Sequence, residues 1–239
     1  MTLNKRLSDL LRTMRDEVLD FDGRLNDEQR AETGLPDAWS AKDEVAHCMV
    51  WAGRTLDDIQ AAAAGEPTPE PESDDFNEEN RIVFERHRDD TWNQVKKMVE
   101  GTYGRAIAFV DGKAESDLLA HPEGLEYPVW REIAGSYISH TMFHIWEYLE
   151  KHGYASEIPG IFGEQFFERV IALHGDPGWR GTAYYNLACQ DALNGNSEQA
   201  IAYLSQALHY NPNLIEWSQQ DSDLDSLREL DAFKALYDG

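Results

Sequence analysis

The chain has 239 residues, 41% of them apolar, with 45 acidic against 21 basic side chains and a formal net charge of −24. Its pI is near 4.5. That balance argues against broad contact with nucleic acid or anionic membranes, since no basic stripe or polybasic run is present to meet phosphate. Length and apolar content allow one large domain or, as read here, a larger and a smaller one, each able to bury a core.

The two cysteines, Cys48 and Cys189, stand at no recognisable spacing, so reduced thiols are expected rather than a disulfide framework. The N-terminus carries charges every few residues and has no apolar signal region, and no apolar run of about 18 residues occurs. A cytoplasmic protein, neither secreted nor membrane-spanning, is expected.

In chain order, Leu3, Leu7, Leu10, Leu11, Met14 and Val18 mark one face of a first helix from Thr2 to about Asp20. A turn-rich stretch with Gly23, Gly34 and Pro36 follows, with room for one short helical turn. Ser40, followed three residues later by Asp43, forms a capping-box pattern that starts a second helix, and Gly65 ends it. His47 falls in its second turn. Between Arg54 and Arg81 there are nine acidic residues, three prolines and no Lys or Arg, so residues 65–75 read as a solvated loop or a lid over a pocket. A third helix is expected from Phe76 or Asn77 through to Val110, with Phe84, Thr91, Trp92, Val95, Met98, Val99 and Ile107 inward.

A turn-rich segment then leads into Val129–Lys151, a helix of about six turns with Ile133, Tyr137, Ile138, Thr141, Ile145, Tyr148 and Leu149 on one stripe. Within that stripe lie His140 and His144. At i, i+4 spacing their Cβ atoms are about 5–6 Å apart, so both imidazoles can reach one ion. Four long helices in this span make a four-helix bundle the leading architecture, and His47 on the second helix is the natural third ligand. Three imidazoles leave open positions on Zn²⁺, Ni²⁺ or Fe²⁺, where a water or a thiolate is activated. Such ligation requires the three rings to converge within about 4 Å.

The stretch Trp39-Ser40-Ala41-Lys42-Asp43-Glu44-Val45-Ala46-His47, then Trp51, then Phe76-Asn77-Glu78-Glu79, and finally His140-x-x-x-His144 resembles the DinB-like superfamily. Its first two motifs look most like the colibactin self-resistance (ClbS/DfsB) branch. The resemblance covers roughly residues 1–152 and implies an all-α, up-down-down-up four-helix bundle with long crossover loops. It implies a metal triad at His47, His140 and His144. It also implies action on a reactive small molecule, as in thiol S-transferases, and frequent homodimers. In the ClbS-like branch the triad is often incomplete and catalysis is not metal-dependent in any agreed way, so a non-metal sequestering role stands as the alternative.

After Gly153 the pattern changes. Tyr184, Leu187, Ala188, Gly195, Ala200, Leu204, Ala207 and Pro212 have the spacing of a tetratricopeptide (TPR) unit, and the segment resembles one, with Asp191 where an aromatic is usual. A single copy needs flanking helices to complete its core, and 162–173 and 223–236 are the candidates. The expected organisation is therefore a bundle over 1–153 and a TPR-like helical domain over 154–239. The latter serves as a docking or self-association surface for a protein partner, or as a helical cover for the bundle, and an adaptor without catalysis is a third reading.

Other residues carry two readings each. Asp43 either supports His47 or only caps the helix. Trp39, Trp51 and Trp92 line a substrate pocket or fill core. Glu147, one turn past His144, is a ligand or base candidate or faces solvent. Cys48, about 100° round the helix from His47, is read as core.

Overall fold

The computed structural model describes residues 1–36, 38–154 and 158–237. The chain divides into two compact units, Met1–Ile161 and Phe162–Gly239. Among the described residues the regular structure is helical, and the only pairing outside helices is a bridge between Leu35 and Ala38.

In the first unit, α1 (Leu3–Arg24) begins at Thr2, whose side chain accepts a hydrogen bond from the Lys5 amide. Its buried face carries Leu3, Leu7, Leu10, Leu11, Met14, Val18 and Phe21. The short α2 (Asp27–Ala31) follows. Helix α3 (Ala41–Ala64) is the hub, packing against α4, α5 and the three segments of the 129–151 helix. Both halves of its capping box form, and Gly65 closes it in the left-handed region at φ 70°. Gly34 sits so close to this cap that a Cβ there would lie 1.9 Å from Asp43 Oδ2 and 2.8 Å from the Ser40 nitrogen. Only a residue without a side chain permits that approach.

The expected third helix is two helices, α4 (Phe76–His87) and α5 (Trp92–Asp111). The break has a local cause: Thr91 and Gln94 make a second reciprocal capping box, which ends one helix and starts the next. Asp90 bonds His87 Nδ1 at 2.7 Å, and Lys42 Nζ donates to the carbonyls of His87 and Arg88, tying the end of α4 to the start of α3. Thr91 is therefore an exposed cap and not an inward residue. The turn-rich segment before Val129 contains a further short helix, α6 (Glu115–Leu119).

Residues 129–151 are helical throughout but not uniformly α. Helix α7 (Val129–Ala134) passes into a π turn (Gly135–His140) and then into α8 (Thr141–Lys151). The buried pairs 129/130, 133/134, 137/138, 141/142 and 145/146 recur every four residues. In an α-helix that spacing drifts about 40° round the axis at each step. The wider π turn absorbs the drift and keeps the stripe facing α3. Tyr103, fully buried on α5, donates its hydroxyl proton to the Tyr137 carbonyl at 2.7 Å, satisfying a backbone acceptor within this irregular segment.

The second unit contains α10 (Glu164–Ile171) after the short α9 (Ile158–Ile161) that closes the first unit. Then α11 (Pro177–Leu193) and α12 (Ser197–Tyr210) pack as a helical hairpin, with Gly195 at φ 77° in the turn. Gly181 allows close approach: a Cβ there would lie 2.4 Å from Asn211 Cβ. After α13 (Leu214–Ser218), a 3₁₀ segment (Ser222–Leu227) and α14 (Asp231–Lys234) send Leu224, Leu227 and Phe233 into the cluster formed by Ala188, Ala200 and Leu204. The hairpin thus covers its apolar face with the chain that follows it.

Candidate metal centre

The three histidines singled out by spacing are brought together. The rings of His47 and His144 have centroids 4.6 Å apart, His47 and His140 5.3 Å, and His140 and His144 4.6 Å. One donor atom from each lies within 4.8 Å of the others. The closest pair, His140 Nε2 and His144 Nε2, is at 3.1 Å. Ligands at about 2.0–2.1 Å from one ion stand no more than about 4.2 Å apart. The pair on α8 and its π-turn boundary already meets that limit, while the set of three including His47 spans up to 4.8 Å.

His47 is almost wholly buried, and His140 and His144 are partly so. Burial lowers the pKa of His47 to about 2, with the neighbouring His144, His140 and Arg54 adding to the effect. His140 is lowered to about 4, first by burial and then by His144. Both are therefore neutral near pH 7, the form that ligates metal.

Tautomers follow from the partners. Glu44 Oε2 lies 2.7 Å from His144 Nδ1, so Nδ1 carries the proton and the Nε2 lone pair points toward His140. Glu44 sits three residues before His47, on the same face of α3. It is a functional residue that sequence reasoning missed, and its signal was this i, i+3 spacing to a candidate ligand. Trp39, just ahead of the α3 cap, lies beside His47 (centroids 4.7 Å) and stacks at 6.3 Å on His144.

Two buried nitrogens, His47 Nδ1 and His140 Nδ1, have no hydrogen-bond partner. Buried polar groups are normally satisfied; since it is Nε2 of His140 that faces His144, its unpartnered Nδ1 marks room for an ordered water beside the ring rather than the position of an ion. The donor set, three imidazoles of which one is oriented by a carboxylate, fits a divalent ion of intermediate softness.

The remaining candidates fall elsewhere. Asp43 is spent on the cap and on Lys42, accepting from the Ser40 nitrogen at 3.0 Å and the Ser40 hydroxyl at 2.6 Å. Glu147 faces solvent. Cys48 is buried and its thiol is pushed well up, so it behaves as core. Trp92 donates to the Arg30 carbonyl and lies away from the histidines. Trp51 does approach His47, with centroids 6.1 Å apart, and it also lines a cavity of about 530 Å³. That cavity contains none of the three histidines. The acidic loop walls it through Thr68, Pro69, Glu70, Pro71, Ser73 and Asp74, which gives the loop a structural place beyond solvation.

In the second unit Cys189, Asp221 and Asp223 also cluster. There Asp221 accepts the Tyr185 hydroxyl at 2.6 Å and caps the 3₁₀ segment through the Asp223 amide, while burial pushes the Cys189 thiol up. Those contacts account for that group structurally.

Among the described residues no helix is long and apolar enough to cross a membrane. No protein-family model, curated protein or solved structure matches this chain.

Proposed function

We propose that the first unit is a DinB-like four-helix bundle that holds Zn²⁺, Ni²⁺ or Fe²⁺ at His47, His140 and His144 and acts on an electrophilic small molecule. The reaction is of the thiol S-transferase or hydrolase type. The observation that carries this reading is the convergence of three imidazoles from two helices, one of them oriented by Glu44. An ion held this way lowers the pKa of a bound water or thiol at an open position.

The chain's own residues do the rest. Glu44 fixes the His144 tautomer, and burial keeps His47 and His140 in the neutral form, with one ring nitrogen free to ligate. The Trp39 ring lies over two of the imidazoles and shields them from water. The second unit, with its TPR-like hairpin, serves as a surface for a protein partner or for self-association.

To test the reaction type, metal-reconstituted protein is mixed with a small thiol and chlorodinitrobenzene, and separately with p-nitrophenyl acetate. The reading predicts turnover of one substrate that EDTA and His140→Ala both abolish. Absence of any chelator-sensitive rate with either substrate counts against it.

One observation favours a second reading, a ClbS-like sequestering protein that needs no metal: the cavity of about 530 Å³ is walled by Trp51 and Phe76 and excludes the histidines. Capture of an electrophile unaffected by EDTA supports that alternative.

A further inference from the structure

The cavity described above lies between α3, the start of α4 and the 68–74 loop. The loop is anchored there. The Ser73 amide donates to Glu79 Oε2 at 2.9 Å, Arg86 pairs with Glu72 at 2.5 Å, and Asp75 caps α4. Glu79 is 1% exposed and sits 2.5 Å from Arg54 Nη2, an ion pair without good hydrogen-bond alignment. The Arg54 guanidinium lies 5.0 Å over the Trp51 ring, and its Nη1 is buried with no acceptor.

One side of the cavity is apolar. The Trp51 and Phe76 rings stand 5.4 Å apart at 34°, with Pro69 and Pro71 alongside. The other side is acidic: five carboxylates face a single guanidinium. Glu79 is paired with Arg54, and Asp57 is paired with Arg105. Asp58, Glu70 and Asp74 have no hydrogen-bond or ion-pair partner among the described residues. A smaller hollow of about 200 Å³ shares Thr55, Asp58 and Thr68 with the cavity and adds Glu126 and Glu132.

An anion is repelled by this lining, and a purely apolar guest strips water from unpaired carboxylates without replacing it. A cation attached to a flat apolar body satisfies both sides at once. We propose that the cavity binds an organic cation, an amine joined to an aromatic or cyclic apolar group, with its ammonium on Asp58 and its ring against Trp51 and Phe76. Burial and the adjacent Asp57 raise the Asp58 pKa, an unfavourable arrangement that a bound ammonium relieves. The inference goes beyond the metal reading and does not require an ion at the histidines.

The test uses the metal-free full chain and follows the indole N–H signal of Trp51, which donates to Asn80 Oδ1 at 3.1 Å. Phenethylamine is expected to shift that signal to saturation. Phenylethanol should bind about tenfold more weakly and phenylpropionate more weakly still, as expected when one partly screened charge pair is removed or reversed. Asp58→Asn should abolish the preference of amine over alcohol, and Phe76→Ala should weaken both. Asp58 and Phe76 are not buried, so both variants should keep the dispersed spectrum of the folded protein. His140→Ala should leave binding unchanged, which separates this proposal from the metal reading. Equal binding of amine and alcohol, a preference that survives in Asp58→Asn, or equal competition by spermidine, which carries charge without a ring, would overturn it.

Discussion

Glu44 on α3 and His144 on α8 meet at 2.7 Å through Oε2 and Nδ1, across a separation of 100 residues in sequence. The contact fixes which nitrogen of His144 is free to ligate, and it ties the two helices that supply the ligands.

Replacing Glu44 by Gln keeps the shape but removes the carboxylate. Metal affinity is expected to fall by roughly 10–100-fold, the usual cost of losing such an orienting partner. Competition with a chromophoric chelator measures this, and unchanged affinity would mean that His144 is oriented by packing alone.

Stability of the metal-free protein should depend on pH through His47 and His140. Their folded pKa values of about 2 and about 4 lie below the value of 6.5 for an exposed histidine. Below pH 6.5 the unfolded chain takes up protons that the folded chain refuses, so stability is highest above that pH and falls as the pH drops. Each histidine contributes a slope of about 1.4 kcal/mol per pH unit, His140 down to about pH 4 and His47 further. Urea melts of wild type and His140→Ala across this window should show the variant's slope smaller by about that amount. Parallel slopes would place His140 in contact with solvent.

Tyr103→Phe removes the hydroxyl that satisfies the Tyr137 carbonyl in the π turn. A buried acceptor left alone costs about 1–3 kcal/mol. The π turn also sets the facing of His140, so metal affinity should fall together with thermal stability. Lost stability with intact metal affinity would show that the ligand geometry does not depend on this bond.

Gly34→Ala should be destabilising out of proportion to its size, because the new methyl meets Asp43 Oδ2 and the Ser40 nitrogen. Breaking the cap of α3 costs about 1 kcal/mol. A melt showing no loss would mean that the 32–39 stretch yields without disturbing the cap.

The ends of α3 could be read in advance because their chemistry is local: Ser40 and Asp43 bond each other's backbone at one end, and Gly65 takes a positive φ at the other. The three histidines were legible for a similar reason, since two share a helical face and the third lies on a helix expected to pack beside it. The break between α4 and α5 was hidden because Phe84, Thr91, Trp92 and Val95 fall at the spacing of one helical face, although Thr91 and Gln94 carry the same kind of reciprocal cap as Ser40 and Asp43. The π turn was not visible to a search for 3.6-residue periodicity, yet its four-residue repeat of buried pairs was present from Val129 onward. Glu44 carried no role of its own in the sequence, because only the tertiary arrangement puts His144 opposite it. The cavity was legible in part, since the acidic loop and Trp51 each carried a pocket reading, but which residues of α3 and α4 complete its walls depends on the tertiary arrangement.

The central claim is that His47, His140 and His144 hold one ion. Its most direct test is the metal content of untagged protein, measured by mass spectrometry after gel filtration in chelator-free buffer. The account predicts close to one transition-metal ion per chain, lost in His47→Ala and in His140→Ala while both variants stay helical. Protein that carries no metal even after reconstitution, or metal retained at the same level in both variants, would contradict it.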